Sequence, residues 1–468
     1  MIATVQQQVF VEQPKAQTPS RAPLLDARFA EIKKRLVKPE NKSKVIESYA
    51  KLLKVLENEV AFIEKNGPSM IPEIDFNDVR KNGGELPPSF ASLVRERGCV
   101  ILRGVVEKPQ AEGWESELKD YTRRHRAVGG FPQDNPQNWS LWWTPPQVQI
   151  RSHPAVLEAM NCVSKLWRVK DPSVPIDLCS QVTYADRFRI RHPSKEAEYT
   201  LPAHLDSGAT ERWEDEENRK NFAAIFEGKW EDWDAWVADH RLDAKSDLYG
   251  NGGSTASCWR SLQGWLSLSH TGTGEGTLRL LPSLKASLAY IMLRPLFMGG
   301  TSEDGEWDDT HPTFPGATPG HAQLKPTTDF HPHLALDRSI VGIPPVQPGD
   351  YVFWHCDLVH EVDRFHPGTT DSSVVYNACN PLTPYNLDSL VELRDAFEKV
   401  IRPRDFNTML PAAETEQDHE DHGAKKENIL SEEGMRAMGF MAFDADEEGI
   451  TEGQREVRRL ANERLGLA

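Results

Sequence analysis

The sequence predicts a mainly β core, a double-stranded β-helix of the jelly-roll kind, with flanking α-helices at both ends. Two observations point there. A series of short strand-like runs, punctuated by Gly, Pro and Thr, occupies the middle of the chain, and many short strands with turn signals indicate a sandwich or barrel. His204 and Asp206 stand near the start of that series and His360 near its end, so the fold has a natural place to bring them together.

Residues 1–25 read as a disordered lead and 26–90 as a helical extension. In the extension Ile46, Tyr49, Leu53, Leu56, Val60 and Ile63 recur at three- and four-residue spacing, and Gly67-Pro68 ends the helix. Its apolar face is expected to pack on the main domain, with a homodimer contact as the other use. Residues 91–385 form the core domain with insertions. Cys99 to Val106 is a short buried-type strand, a helix runs from Pro109 to Arg124, and Trp139 to Pro146 is a Trp-rich loop. His153 to Trp167 is helical. Val182 to Ile190 alternates as a strand that puts Arg187, Arg189 and the following Arg191 on one face. Trp213 to Asp239, acidic and Trp-rich, is an insertion. Trp259 to Leu268 and Gly276 to Ser283 read as antiparallel strands joined at Thr271–Gly274, where Gly and Thr are turn chemistry. That junction lacks the Lys-Ser/Thr of a phosphate loop. Met298 to Lys325, rich in Gly and Pro, is a long loop and a candidate lid. Ser339 to Ile343, Asp350 to His355 and Ser372 to Ala378 are strands. Residues 386–468 form a C-terminal helical extension: a helix over Leu387–Ile401, a charged loop over Glu414–Asn428 and a closing helix N-capped by Thr451.

The 468 residues carry a formal net charge of −17. Such a balance disfavours general nucleic-acid binding, which needs a basic face, and docking on anionic membranes. Cys99, Cys162, Cys179, Cys258, Cys356 and Cys379 are scattered with no CxxC pair, which fits neither a disulfide framework nor a thiolate zinc site and suits a reducing, cytoplasmic setting. No apolar run reaches the length of a membrane span or a signal peptide.

His204-Leu205-Asp206 carries the chemistry. Alternate strand residues share a face, so this imidazole and carboxylate project side by side. Two histidines and one carboxylate make the facial set of non-haem iron(II) sites, which leaves the opposite positions open. His360 is the candidate third ligand, with His355 as the alternative on the preceding strand. His311, His321, His331 and His333 lie among prolines and read as loop residues.

Four segments in order resemble the iron(II)/2-oxoglutarate-dependent dioxygenases, in the phytanoyl-CoA-hydroxylase-like group. They are Gly98–Val105, His204-Leu205-Asp206, Gly276–Ser283, and Gly349-Asp350-Tyr351-Val352-Phe353-Trp354-His355 with His360 beyond it. The resemblance spans roughly 90–385, and the ends look more like the domain-of-unknown-function 1479 branch of bacteria and fungi. It implies a cupin-like barrel in which His204, Asp206 and His360 bind Fe(II), 2-oxoglutarate and molecular oxygen are co-substrates, and a small molecule is hydroxylated with release of succinate and CO2. In that register His360, not His355, is the distal ligand. The resemblance implies an arginine for the remote carboxylate of 2-oxoglutarate about eleven residues after the distal histidine; here Asp371 stands there, followed by Ser372 and Ser373. The planar guanidinium fork suits an oxyacid, so Arg187, Arg189 or Arg364, helped by Ser373, are the candidates for that grip. The segments Trp139–Trp143 and Met298–Lys325 are the candidate substrate wall. A metal-dependent cupin-type enzyme that does not use 2-oxoglutarate, or a non-catalytic binding barrel, are the rival readings.

Overall fold

Several central runs are apolar and buried from end to end, as strands become when both sheet faces are covered. A computed structural model describes residues 23–196, 201–299, 304–406, 414–420 and 423–467. Most of the expected disordered lead lies outside these residues. Among them the strands are β1 (Glu73–Asp75), β2 (Cys99–Arg103), β3 (Gly130–Phe131), β4 (Asn138–Trp139), β5 (Asp177–Gln181), β6 (Phe188–Arg191), β7 (Leu262–Ser267), β8 (Leu278–Leu280), β9 (Val341–Gly342), β10 (Tyr351–His355), β11 (His360–Val362), β12 (Ser372–Tyr376) and β13 (Pro381–Leu382). Eight of them make one sheet in the order β1-β2-β10-β7-β12-β6-β4-β3, three make a second, β11-β8-β9, and β13 pairs β5.

The register sets which side chains meet. β7 pairs β10 with Gln263 opposite Trp354, β12 pairs β7 with Val374 opposite Ser267, and β6 pairs β12 with Arg189 opposite Val374. Directly opposed residues share a face. Gln263, Trp265 and Ser267 of β7 therefore look the same way as Trp354, Val374 and Arg189, while His355 and Ser373 look the other way. Gly349, at φ 93°, makes the turn into β10 where a Cβ would collide with the Val106 carbonyl. The adjacent Asp350 carboxylate accepts from the Gly104 amide at 2.9 Å and from Arg103 at 2.6 Å, so it ties this turn to the end of β2.

Two expectations are corrected. The runs Trp259–Leu268 and Gly276–Ser283 are not a hairpin: β7 lies in the large sheet, whereas β8 pairs β11 and β9 in the small one. The strand expected over Val182–Ile190 is confined to β6, because the chain leaves the ladder before it and the Asp186 carbonyl accepts from the side chains of Gln147 and Arg151 instead.

The apolar period at three- and four-residue spacing forms a Lys42–Asn66 helix ended by Gly67 at φ 55°. Its buried stripe runs through Val45, Tyr49, Leu52, Leu56, Val60 and Ile63, with Ile46 exposed. The acidic insertion is packing: Trp213, Trp230, Trp233 and Trp236 are all buried, and their indoles donate to the carbonyls of Met292, Ser48, Asn221 and Arg95. Trp142 and Trp143 are likewise core, in a cluster with Tyr184, Phe397 and Phe406. The Leu284–Leu293 helix, absent from the sequence reading, is buried on all sides and so has no amphipathic period to reveal it. At the C-terminus the Thr451 hydroxyl accepts from the Gln454 amide and starts the Glu452–Arg464 helix. The result is a helix-plus-sheet fold around the eight-stranded sheet. No helix among the described residues is long and apolar enough to cross a membrane.

Candidate metal centre

His204 lies on a short extended segment just before a turn in which Ser207 (φ 69°) and Gly208 (φ 85°) both take left-handed conformations. A Cβ on Gly208 would run into the Ser246 carbonyl and the Glu211 carboxylate. The turn leaves His204 and Asp206 on one side of the segment and buries Leu205 on the other. His204 forms an antiparallel bridge with His360, the first residue of β11, and the two rings lie 4.1 Å apart between centroids. Each imidazole is oriented from behind. The Nδ1 of His204 lies 2.7 Å from the Pro202 carbonyl and that of His360 lies 2.9 Å from the Leu358 carbonyl, so Nδ1 carries the proton in both rings and the Nε2 lone pairs are free. Both Nε2 atoms stand 3.7 Å from the Asp206 carboxylate, one at Oδ1 and the other at Oδ2.

Asp206 is held from the outside as well. The amide of Gln323 donates to its Oδ1 at 2.8 Å and the amide of Gln263 to its Oδ2 at 2.9 Å. Burial pushes this carboxyl up, but the two imidazoles, Arg260 and Gln323 outweigh burial and hold it well below the usual carboxylate range. Burial, with His204 alongside, pushes the His360 imidazole down to about 3. The trio brings one carboxylate and two imidazoles together, with ligand atoms within 4.8 Å of one another. This donor set fits a divalent transition metal, because ligands must be deprotonated to bind and outer hydrogen bonds fix their orientation.

His355 faces elsewhere. It stacks on Trp167 with centroids 4.8 Å apart and meets Trp236 at 4.7 Å. Its Nδ1 accepts from the Asp357 amide at 3.0 Å and its Nε2 lies 3.1 Å from the Ala235 carbonyl. Although His355, Cys356 and Asp357 lie close enough together to hold an ion, the Asp357 carboxylate already accepts from Arg212 at 3.2 Å and Arg241 at 2.9 Å. Arg212 also donates to the Asp206 carbonyl at 2.6 Å. It thus clamps the His204–Asp206 segment to the loop that carries His360.

The candidates for the remote carboxylate separate. Arg189 shares the face of Gln263, and no described residue accepts from its Nε. Arg187 is held by Asp186 and lies over the Phe406 ring. Ser373 does not fit the expectation: it points to the outer face, where its hydroxyl donates to Glu115. Arg364 is exposed to solvent, and Asp371 is paired with Lys119 and His192. Sequence reasoning missed Gln263, Gln323, Arg212 and Arg260. A lone glutamine inside the apolar run Leu262-Gln263-Gly264-Trp265-Leu266 was the one legible signal among them.

Fold and cluster together define a sheet protein with a buried centre of two histidines and one carboxylate at the meeting of two sheets. The chain belongs to the Gig2-like family, whose profile matches residues 23–440. A crystal structure of GlcNAc Inducible Gene 2, GIG2 (DUF1479), from Candida albicans is 41% identical and superposes with a TM-score of 0.86, over 95% of this chain and 96% of that one. A hypothetical protein of Escherichia coli, JW0805, is 26% identical with a TM-score of 0.74, over 90% of this chain and 99% of that one. YbiU of Escherichia coli strain K12 is 29% identical over 360 residues, 74% of this chain and 82% of its own length. The likeness to the Candida protein takes in nearly the whole chain, whereas the family profile ends before the Glu452–Arg464 helix.

Proposed function

We propose that the protein is a non-haem iron(II)/2-oxoglutarate-dependent oxygenase of the phytanoyl-CoA-hydroxylase-like group, built on a double-stranded β-helix, that hydroxylates a small-molecule substrate. The observation that carries this reading is the convergence of His204, Asp206 and His360, with both Nδ1 atoms anchored to backbone carbonyls and both carboxylate oxygens held by glutamine amides. Iron(II) at this centre would supply oxygen activation coupled to decarboxylation of 2-oxoglutarate into succinate and CO2. The chain's own part is positioning. The trio offers ligands from one side only, and its burial keeps bulk water away. Arg189 supports the co-substrate assignment: it stands two opposed pairs across the sheet from Ser267, on the face that Gln263 shares four residues earlier on β7, and its Nε has no acceptor among the described residues while its Nη2 donates to the Gly276 carbonyl.

The test is succinate formation from 2-oxoglutarate by anaerobically iron-loaded protein after admission of oxygen, in the wild type and in Arg189→Met. Loss of the charge-assisted contact should raise the apparent KM for 2-oxoglutarate about tenfold or more. Absence of any succinate from wild-type protein that retains iron would remove 2-oxoglutarate from the reading. The pairing of Asp371 with Lys119 and His192 favours, as second reading, a metal-dependent cupin-type enzyme that does not use 2-oxoglutarate, and that outcome would select it.

A further inference from the structure

A cavity of about 30 Å³ lies behind the segment that carries His204 and Asp206. Ser207, Arg212, Asn218, Arg241, Trp259 and Asp357 are among the residues that line it. The charged groups of this lining are the guanidinium groups of Arg212 and Arg241 and the carboxylate of Asp357, all less than a tenth exposed. One buried positive charge is left over. The two thiols of the lining, Cys258 and Cys356, do not cancel it, because burial pushes both up to about 12. The carboxylates nearby are engaged elsewhere. Asp215 accepts from the amides of Asn218 and Lys245 at 2.8 and 3.1 Å, and Asp247 from that of Asn251 at 2.9 Å.

The same arginines have donors to spare. Arg212 donates through Nη1 to the Gly208 carbonyl at 3.0 Å and through Nη2 to the Asp206 carbonyl and to Asp357. Its Nε has no acceptor among the described residues. Arg241 gives only Nη2, to Asp357 at 2.9 Å, and neither its Nε nor its Nη1 meets an acceptor among the described residues. Buried guanidinium groups are almost always paired, because an unpaired charged donor in a protein interior forfeits its hydration with no return. A water molecule would answer this shortage poorly. It brings two hydrogens that need acceptors of their own, and it carries no charge. A monatomic anion accepts from every side and cancels the excess. The cavity has room for such an ion and none for a substrate-sized acid.

We infer that this cavity is a halide site, with chloride as its ion, held by Arg241 and Arg212 where Asp357 leaves one charge uncompensated. The ion balances charge behind the clamp that ties the His204–Asp206 segment to the loop carrying His360. This is independent of the oxygenase reading, since neither the identity of the metal nor that of the co-substrate enters it.

The test uses the full chain exchanged into sodium gluconate and returned stepwise to sodium chloride or sodium bromide at constant ionic strength. Wild type should show a saturable rise in thermal midpoint of about 2 °C or more, half complete below about 100 mM halide. Arg241→Gln keeps a donor for Asp357 and removes the excess charge, so its midpoint should not respond to halide. Wild-type crystals soaked in bromide give a measurement that needs no variant. One anomalous peak is expected in the cavity beside Arg241, and waters alone at that place overturn the inference. A bromide peak without the midpoint response means an adventitious ion only and overturns it as well. So does a midpoint response that Arg241→Gln retains in full. Succinate formation enters neither readout, so failure here leaves the oxygenase reading untouched, and failure of that reading leaves the halide site untouched.

Discussion

The amides and carbonyls of His204 and His360 exchange both hydrogen bonds, at 2.9 and 3.1 Å, so two residues remote in sequence stand directly opposite each other. Opposed residues of such a pair send their side chains to one face. The two imidazoles therefore converge on Asp206 through backbone pairing. His355 is excluded by the same geometry, since it lies on the other face of β10 against Trp167 and Trp236.

Metal retention should follow that geometry. His360→Ala is expected to purify folded with less than a tenth of the wild-type iron after anaerobic loading, whereas His355→Ala loses stability but keeps full stoichiometry. Elemental analysis of both variants decides it; iron lost from the His355 variant and kept by the His360 variant would reverse the ligand assignment.

Gln263 and Gln323 each hold one oxygen of Asp206, so either alanine variant releases one carboxylate oxygen and leaves the other held. Outer hydrogen-bond partners of metal ligands are typically worth about 10–100-fold in metal affinity. Competition against a fluorescent chelator should show a loss in that range for each, with unchanged circular dichroism. Wild-type affinity in both would mean that the amides serve packing alone.

Asp357→Asn tests the clamp behind the centre. The substitution removes the charge that Arg212 and Arg241 share, both of them buried. Breaking a buried pair from one side costs roughly 3–5 kcal/mol, because the remaining charge stays buried and uncompensated. The denaturant midpoint should fall accordingly. A shift worth less than about 1 kcal/mol would show that the two arginines find other acceptors.

Lys33 gives a pH signature far from the centre. It is fully buried, donates to the Thr313 hydroxyl at 3.0 Å, and burial pushes its ammonium down to about 8 from an ordinary 10.5. The folded state thus binds the proton more weakly than the unfolded chain. Stability should rise as pH increases from about 8 to 10.5, by an amount on the order of 3 kcal/mol, and be lowest in this respect below pH 8. Lys33→Met should flatten that rise and be neutral or stabilising at pH 7. A wild-type stability curve that is level or falling across this window, matched by the variant, would show that Lys33 keeps its charge at no cost.

Local spacing alone determined a good part of this protein. The two-residue step from His204 to Asp206 put both side chains on one face, and the apolar period of the Lys42–Asn66 helix and the Thr451 cap marked real helices. Strand partners were another matter. β7 and β8 are neighbours in sequence and belong to different sheets, and Gln323 reaches Asp206 from a long loop with no local signal. Only the tertiary structure chose Gln263, Gln323 and the Arg212–Asp357 clamp as the surroundings of the centre. The reason is physical: period fixes the face a side chain takes, while register and pairing come from burial and hydrogen bonding summed over segments far apart in the chain.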